Sequence, residues 1–172
     1  MTCILGIADG SNVWIGGDRA CSDGTTVLSL HRPKVARVGE YIIGFAGSLG
    51  IGQLAHMVDV PASPKNLEKA LRTTFIKSLK SAIEEYGNPN TNDDNSTDWL
   101  IGTQGRLFEV SSDDWQVSEY EYSAIGSGAN IALGSLYTTQ SWKDNHKRVS
   151  VAMDAAITLS PSCQGPVDIL KI

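Results

Sequence analysis

The chain begins with short apolar runs that are separated by turn residues. Five runs predict β-strands: Cys3–Ala8, Asn12–Gly16, Thr25–Leu30, Lys34–Val38 and Glu40–Ala46. The first two runs are joined by Asp9-Gly10-Ser11, and an Asp-Gly turn between apolar runs predicts a β-hairpin. The fifth run is continuously apolar, which predicts a strand that is buried on both faces.

The pattern then changes to helical spacing. Gly50–Val58 predicts a short helix. Ser63-Pro64 predicts the N-cap and first residue of a longer helix, which we expect to end at Gly87. The segment Asn88–Thr97 is rich in Asn, Asp and Pro, and it predicts a solvent-exposed loop.

Strands and helices follow one another in blocks over the second half of the chain. The predicted strands are Asp98–Gly102, Arg106–Ser111, Glu119–Ile125 and Pro166–Ile172, and the predicted helices are Ala129–Thr139 and Arg148–Leu159. Segregated blocks of this kind favour an α+β fold over alternating βαβ units. Two facing sheets with a helix pair on each outer side would bury every amphipathic face. We therefore predict a four-layer αββα sandwich.

The composition indicates one domain that spans residues 1–172. The chain is 41% hydrophobic and 19% charged, which is ordinary for a globular protein of this size. Its net charge of −5 argues against nucleic acid or an anionic membrane as a partner. The N-terminus lacks a basic region and an apolar core, so we expect no secretion signal, and no run approaches the roughly 18 apolar residues of a membrane span. Three unpatterned cysteines favour reduced thiols, so we expect a cytoplasmic protein without cofactor or metal.

The strongest candidate for a catalytic residue is Thr2, directly behind Met1. A threonine hydroxyl is a poor nucleophile unless a base lies beside it, and an N-terminal threonine carries that base in its own α-amine. Such an amine has a pKa of about 7.7–8.0 in model compounds, so a modest decrease leaves it neutral at physiological pH. Because Thr2 is small, we expect methionine aminopeptidase to remove Met1. The alternative is that Thr2 merely begins the first strand.

Five motifs together resemble the proteasome β-subunit family. They are Thr2, Gly16-Gly17-Asp18, Lys34 after an extended segment, Gly44-Phe45-Ala46-Gly47-Ser48 and Gly126-Ser127-Gly128. Each motif alone is weak, but all five occur in the family's order and at similar spacing. The likeness is greatest to the bacterial proteasome-like peptidase that pairs with a ring-shaped ATPase unfoldase. It implies the N-terminal nucleophile hydrolase fold, hydrolysis of peptides or unfolded proteins, a homo-oligomeric ring and a separate ATPase, since this chain has no phosphate-binding loop motif.

The same resemblance implies a role for each polar residue of these motifs. Thr2, once exposed, would attack a peptide carbonyl with its hydroxyl while its amine acts as the base. Lys34 would lie beside that hydroxyl and favour the alkoxide through its positive charge. Asp18 would pair with Lys34 and hold it in place. Taken alone, Asp18 would be a turn residue and Lys34 a solvated lysine at the edge of a sheet.

The remaining implied roles fall on two glycine-rich turns. Ser127 would hydrogen-bond the Thr2 amine and relay its proton, although a serine here also suits a helix N-cap. The backbone amide of Gly44 would face the developing oxyanion, with Gly47 as the second choice. Arg19 matches an arginine that is common in the family, and its alternative role is purely structural.

The C-terminal region departs from the family pattern. Members usually carry an aspartate late in the last helix and often a serine after it, and the corresponding positions here are Thr158 and Pro161. Ser160 or Ser162 could supply a hydrogen bond in their place, but neither supplies a carboxylate. This departure supports two alternatives to a peptidase: a catalytically inactive ring or partner-binding subunit, and an amidase that acts on a small amide substrate.

Overall fold

The computed structural model describes residues 1–22, 25–62, 64–86 and 96–172. Its strands are β1 (Ile4–Ala8), β2 (Val13–Asp18), β3 (Ala20–Ser22), β4 (Val27–Ser29), β5 (Val35–Val38), β6 (Tyr41–Gly47), β7 (Thr97–Thr103), β8 (Arg106–Ser111), β9 (Val117–Tyr120), β10 (Tyr122–Ile125) and β11 (Val167–Lys171). Its helices are α1 (Leu49–Gly52), α2 (Leu67–Ala70), α3 (Ile76–Tyr86), α4 (Ala129–Thr138) and α5 (Asn145–Leu159). A 3-10 turn, Gln53–His56, continues α1, and a π-helical turn, Leu71–Phe75, joins α2 to α3. Among the described residues, no helix is both long and apolar enough to cross a membrane.

Antiparallel pairing builds two main sheets. One sheet has the strand order β10-β1-β2-β11, and the other is the meander β5-β6-β7-β8-β9. The predicted hairpin between β1 and β2 forms, and Asp9 Oδ1 stabilises its turn by accepting hydrogen bonds from the amides of Ser11 and Asn12. Strand β11 pairs with β2 so that Val167 lies opposite Asp18. The C-terminal strand therefore lies beside the end of β2.

Three buried apolar clusters separate four layers. The middle cluster lies between the two sheets and includes Ile4 and Ile42. Ile43, one residue further along β6, belongs instead to the cluster between the five-stranded sheet and helices α1–α3. Leu5 and Val149 belong to the third cluster, between the four-stranded sheet and helices α4 and α5. Neighbouring strand residues thus face opposite layers, and the predicted α+β sandwich is confirmed.

The predicted strand Glu119–Ile125 is wrong as a single element. Strand β9 ends at Tyr120 in the five-stranded sheet, and β10 begins at Tyr122 in the four-stranded sheet. A bend at Glu121 carries the chain from one sheet to the other. Glutamate and tyrosine alternate in the sequence from Glu119 to Tyr122, across the bend, so the pattern alone gave no sign of a change of sheet.

Helix starts also differ from the predictions, because capping side chains lie outside the apolar pattern. The longer helical segment begins at Leu67, where Asn66 Oδ1 accepts a hydrogen bond from the Lys69 amide at 3.0 Å. Helix α5 begins three residues before the predicted Arg148, where Asp144 is the N-cap. The predicted cap at Ser63, the predicted helix end at Gly87 and residues 88–95 of the predicted loop lie outside the described residues.

Close contact between the two sheets yields a test of the fold. A Cβ atom on Gly102 would lie 2.6 Å from Cγ1 of Val13 in the opposite sheet. We expect Gly102→Ala to lower the free energy of unfolding by about 1–3 kcal/mol, as is typical of an overpacked core, measured by urea denaturation. Gly134→Ala is the matched control, because nothing lies within 4 Å of a Cβ at that exposed position on α4. Equal destabilisation of the two variants would contradict the close packing of the sheets.

Candidate active site

A buried ion pair joins the two sheets at one edge of the sandwich. Asp18 is the last residue of β2, and Lys34 directly precedes β5. Lys34 Nζ lies 3.0 Å from Asp18 Oδ1, and the two residues are 3% and 0% exposed. Burial of two charges is costly unless they are paired and hydrogen-bonded, so further partners are expected around both groups.

Backbone amides supply those partners for Asp18. Its Oδ1 accepts a hydrogen bond from the Cys3 amide at 3.1 Å, in addition to the one from Lys34. Its Oδ2 accepts hydrogen bonds from the amides of Ala20 and Gln164, both at 3.2 Å. The carboxylate is therefore held by the N-terminal strand, its own turn and the segment after α5.

Lys34 connects this carboxylate to Thr2. Lys34 Nζ donates a hydrogen bond to Thr2 Oγ1 at 2.8 Å and a longer one, 3.3 Å, to the Met1 carbonyl oxygen. The Thr2 hydroxyl itself donates to the Met1 carbonyl, and Thr2 is only 4% exposed. The hydroxyl thus lies against a cation whose charge is offset on the far side by Asp18.

Ser127 contacts Thr2 from the turn between β10 and α4. The Thr2 amide donates to Ser127 Oγ at 3.1 Å, and Ser127 Oγ donates to the Thr2 carbonyl at 3.3 Å. The N-cap residue of α4 is Gly128, with no side-chain capping bond, so Ser127 directs its hydroxyl at Thr2 rather than at the helix. A Cβ on Gly126, which has φ of +88°, would lie 2.5 Å from the Thr2 carbonyl oxygen. Glycine at this position permits the close approach.

The two candidate oxyanion glycines lie in different backbone environments. Gly44 is buried in the middle of β6, where it is paired with Val35 on one side and Leu100 on the other. Gly47 is the exposed last residue of β6, pairs with Thr97 of β7 and has φ of +121°. The register between β5 and β6 ends at Gly44, and the Phe45 amide makes one further hydrogen bond, to the Lys34 carbonyl oxygen. Gly47 lies beyond both and is exposed. The choice between Gly44 and Gly47 as the oxyanion donor therefore stays a prediction.

Arg19 has a structural position beside the site. Its Nε and Nη2 donate to the two carboxylate oxygens of Asp168 on β11, both at 2.7 Å, and its Nη1 donates to the His31 carbonyl oxygen at 2.7 Å. This guanidinium ties the end of β2 to β11 and to the segment that leads into Lys34. The contact with Asp168 was not predicted from the sequence.

The segment after α5 reaches Asp18 through its backbone. Thr158, the position of the usual aspartate, is exposed on α5, whereas Ser160 is buried and its Oγ accepts a hydrogen bond from the Ser162 amide at 3.2 Å. Gln164, which the sequence did not indicate, contacts Asp18 through its backbone amide. No side-chain signal could have indicated it, because every residue except proline offers the same N–H group.

A cavity of about 710 Å³ is lined by residues that flank Lys34 and Gly47 in the chain, although by neither of these two themselves. Its apolar lining includes Pro33, Ala36, Phe45, Leu49 and Met57. Arg32 and Gln53 add polar groups, and burial lowers the pKa of His56, whose Nε2 lies 2.9 Å from the Ile43 carbonyl oxygen. The cavity is predominantly apolar, as small-ligand sites usually are.

Comparison with known proteins identifies relatives at low identity. No family model matches the chain. A proteasome subunit beta of Parafrankia sp. (strain EAN1pec) is 26% identical over 184 residues, which cover 99% of this chain and 67% of that protein. BPH of Thiobacillus denitrificans in complex with epoxomicin has a TM-score of 0.82 at 21% identity, covering 99% of this chain and 97% of its own. Eukaryotic HslV from Trypanosoma brucei has a TM-score of 0.71 at 20% identity, covering 98% of each chain. At these identities the structural neighbours establish the fold alone.

Proposed function

We propose that this chain, which resembles proteasome β subunits in sequence and in fold, is a threonine peptidase whose nucleophile is Thr2. One observation carries the proposal: the Thr2 hydroxyl lies 2.8 Å from the buried ammonium of Lys34. A fixed cation at this distance stabilises negative charge on the hydroxyl oxygen as it attacks.

The proposed reaction uses the free amine of Thr2 as the base. The hydroxyl oxygen attacks the carbonyl carbon of a peptide bond while the hydroxyl proton passes to the amine. Ser127 Oγ, 3.1 Å from the Thr2 nitrogen, holds that amine and relays its proton to the leaving group. Water then hydrolyses the acyl-enzyme ester and restores the Thr2 hydroxyl.

The oxyanion of the tetrahedral intermediate is assigned to the amide of Gly47. Successive amides of a strand point to opposite edges, and the Phe45 amide donates toward the β5 side, to the Lys34 carbonyl oxygen. Two residues later, the Gly47 amide is directed to the same side, where β5 no longer pairs with β6. An oxyanion donor of this kind typically contributes about 10²–10³ to the rate.

The mechanism requires cleavage of the Met1–Thr2 bond. With Met1 attached, the Thr2 nitrogen is an amide rather than an amine, and the Met1 carbonyl accepts hydrogen bonds from both the Thr2 hydroxyl and Lys34. Removal of Met1 would release both groups for a substrate. The N-terminal residue of protein purified from its native host tests this step, and retention of Met1 in all molecules would exclude the mechanism.

The apolar cavity supports a preference for bulky apolar side chains next to the cleaved bond. We expect peptides with leucine or phenylalanine at that position to be hydrolysed with a kcat/KM about tenfold or more above that of alanine peptides, because a filled apolar pocket discriminates by about 1–3 kcal/mol. Ala36→Phe should narrow the cavity and remove this preference. Hydrolysis of the alanine peptide is the internal control, and an unchanged ratio in the variant would place the side-chain site elsewhere.

The proposed substrate is a peptide or an unfolded protein, and the proposed assembly is a homo-oligomeric ring that receives substrate from a separate ATPase. Both follow from the family and are tested by the mass of the native assembly and by co-purification of an ATPase.

The exposed Thr158 supports a second candidate, an inactive ring subunit, because no carboxylate occupies the late position of α5 that active members usually use. A covalent adduct with epoxomicin, the compound bound in the BPH structure, would rule out that candidate.

A further inference from the structure

Two buried thiols from distant parts of the chain meet behind Thr2. Cys3 is 0% exposed and Cys163 is 7% exposed, and both are free. Each thiol is the largest single influence on the pKa of the other. Both also lie against Gly128, where a Cβ would be 2.6 Å from Sγ of Cys163 and 3.2 Å from Sγ of Cys3. Both sulfurs thus lie within a few ångströms of the same point, the proximity that a disulfide requires.

The thiol pair lies directly beside the groups that hold Asp18. The amide of Cys3 donates to one oxygen of the Asp18 carboxylate. The amide of Gln164, the residue after Cys163, donates to the other oxygen. A bond between the two sulfurs would therefore join the two backbone segments that fix the orientation of this carboxylate.

The two thiols differ in reactivity. Hydrogen bonds from the Cys3 thiol and from Ser160 lower the pKa of Cys163 to about 7 against the effect of burial. For Cys3, the interaction with the Cys163 side chain and burial both raise the pKa. The charged groups that face both sulfurs are Asp18 and Lys34, which oppose each other. At neutral pH a substantial fraction of Cys163 is thus the thiolate, the form that reacts with oxidants.

We propose that Cys3 and Cys163 form a peroxide-sensitive thiol pair, whose oxidation to a disulfide displaces the Asp18–Lys34 pair and lowers catalysis. The effect on catalysis rests on the proposed function, whereas the formation of the disulfide does not. Neither sulfur atom takes part in the proposed peptidase mechanism.

The chemistry proceeds in two balanced steps. The Cys163 thiolate attacks one oxygen of hydrogen peroxide, the O–O bond breaks, and the departing hydroxide takes a proton to become water. The sulfur of Cys3 then attacks the sulfenic acid sulfur of Cys163, the S–O bond breaks, and the second oxygen leaves as water with the proton of Cys3. Two thiols are oxidised and the peroxide is reduced to two waters. A dithiol reductant reverses the disulfide by exchange.

Oxidation changes the geometry because a disulfide is only about 2.05 Å long, shorter than any non-bonded contact between sulfurs. The segments at Cys3 and Gln164 are drawn together, and the Asp18 carboxylate, hydrogen-bonded to both, moves with them. A misplacement of about 1 Å in a catalytic group can cost about 10²-fold in rate. We expect kcat/KM to fall about tenfold or more on oxidation.

The test treats the reduced full-length protein with hydrogen peroxide and follows it by intact mass, peptide mapping after alkylation, and peptide hydrolysis. We expect a loss of two hydrogen masses, a crosslinked peptide pair containing Cys3 and Cys163, and lower hydrolysis that dithiothreitol restores.

The crosslinking rate should rise about tenfold from pH 6 to pH 8, because the thiolate fraction of Cys163 increases across its pKa of about 7. Cys163→Ala should abolish the crosslink and the peroxide response. Cys21→Ser is the matched control and should respond like the unaltered protein, since Cys21 lies on β3 outside the pair.

Two results would overturn the proposal. In one, Cys3 and Cys163 remain open to alkylation after unfolding of the peroxide-treated protein. In the other, the crosslink forms and hydrolysis is unchanged. A reduced protein that hydrolyses no peptide refutes the proposed function and the effect on catalysis with it, while mapping alone still decides the disulfide.

Discussion

Thr2→Ala is expected to lower peptide hydrolysis by about four orders of magnitude or more. Alanine removes the hydroxyl that Lys34 contacts at 2.8 Å, and with it the proposed acceptor of the acyl group. Loss of the nucleophile in a protease leaves only the contribution of binding and of the oxyanion site. The measurement is kcat/KM with a fluorogenic peptide, together with the intact mass after incubation with epoxomicin.

Thr2→Ser is the matched control, because serine keeps both the hydroxyl and, after Met1 is removed, the amine. We expect it to retain measurable hydrolysis and to form the epoxomicin adduct, whereas Thr2→Ala forms none. Thermal unfolding of both variants checks that the fold is intact. Substantial hydrolysis by Thr2→Ala would remove Thr2 from the nucleophile's role and would direct attention to another group in the cavity.

Lys34→Met and Asp18→Asn are expected to lower activity similarly but to differ in stability. Lys34→Met removes the fixed cation, and Asp18→Asn removes the carboxylate that orients it. We expect kcat/KM to fall by about 10²–10³ in either variant. In Lys34→Met the Asp18 carboxylate keeps its three amide donors, from Cys3, Ala20 and Gln164. We therefore expect a stability loss of only about 1–3 kcal/mol.

Asp18→Asn leaves Lys34 buried without a counter-charge. Both oxygens of the Asp18 carboxylate accept hydrogen bonds from backbone amides. In asparagine one of these oxygens is replaced by an NH₂ group, which cannot accept them. Breaking a buried ion pair from one side typically costs about 3–5 kcal/mol, so this variant should be the less stable of the two by urea denaturation. Lys34→Met activity within about threefold of the unaltered protein would contradict the electrostatic role of Lys34.

Much of the fold could be predicted because each strand or helix has a characteristic spacing of apolar residues along the chain. The continuous apolar run of β6 predicted a strand buried on both faces, and residues Tyr41–Ala46 are all buried. The helical spacing before Tyr86 and after Gly128 likewise located α3 and α4. The split between β9 and β10 could not be predicted, since the choice of sheet depends on which strand lies alongside and not on the pattern within the strand.

The candidate site was predictable only as a set of side chains. The resemblance indicated Thr2, Asp18, Lys34 and Ser127, and the structure brings their polar atoms into hydrogen-bond contact. Their catalytic roles stay predictions until the variants are measured. The choice between Gly44 and Gly47 needed the strand register, because a backbone amide has no side-chain signature.

The sequence by itself determined most of the strands and helices, the layered architecture and the motif residues, because these are expressed in side-chain type and spacing. Only the tertiary structure decided what surrounds them. Three interactions each join segments that are far apart in the chain. They are the hydrogen bond from the Gln164 amide to Asp18, the salt bridge between Arg19 and Asp168, and the approach of Cys3 and Cys163 beside Gly128. Such contacts form only when packing of the apolar layers brings distant segments together, and no local pattern records which polar groups will then meet.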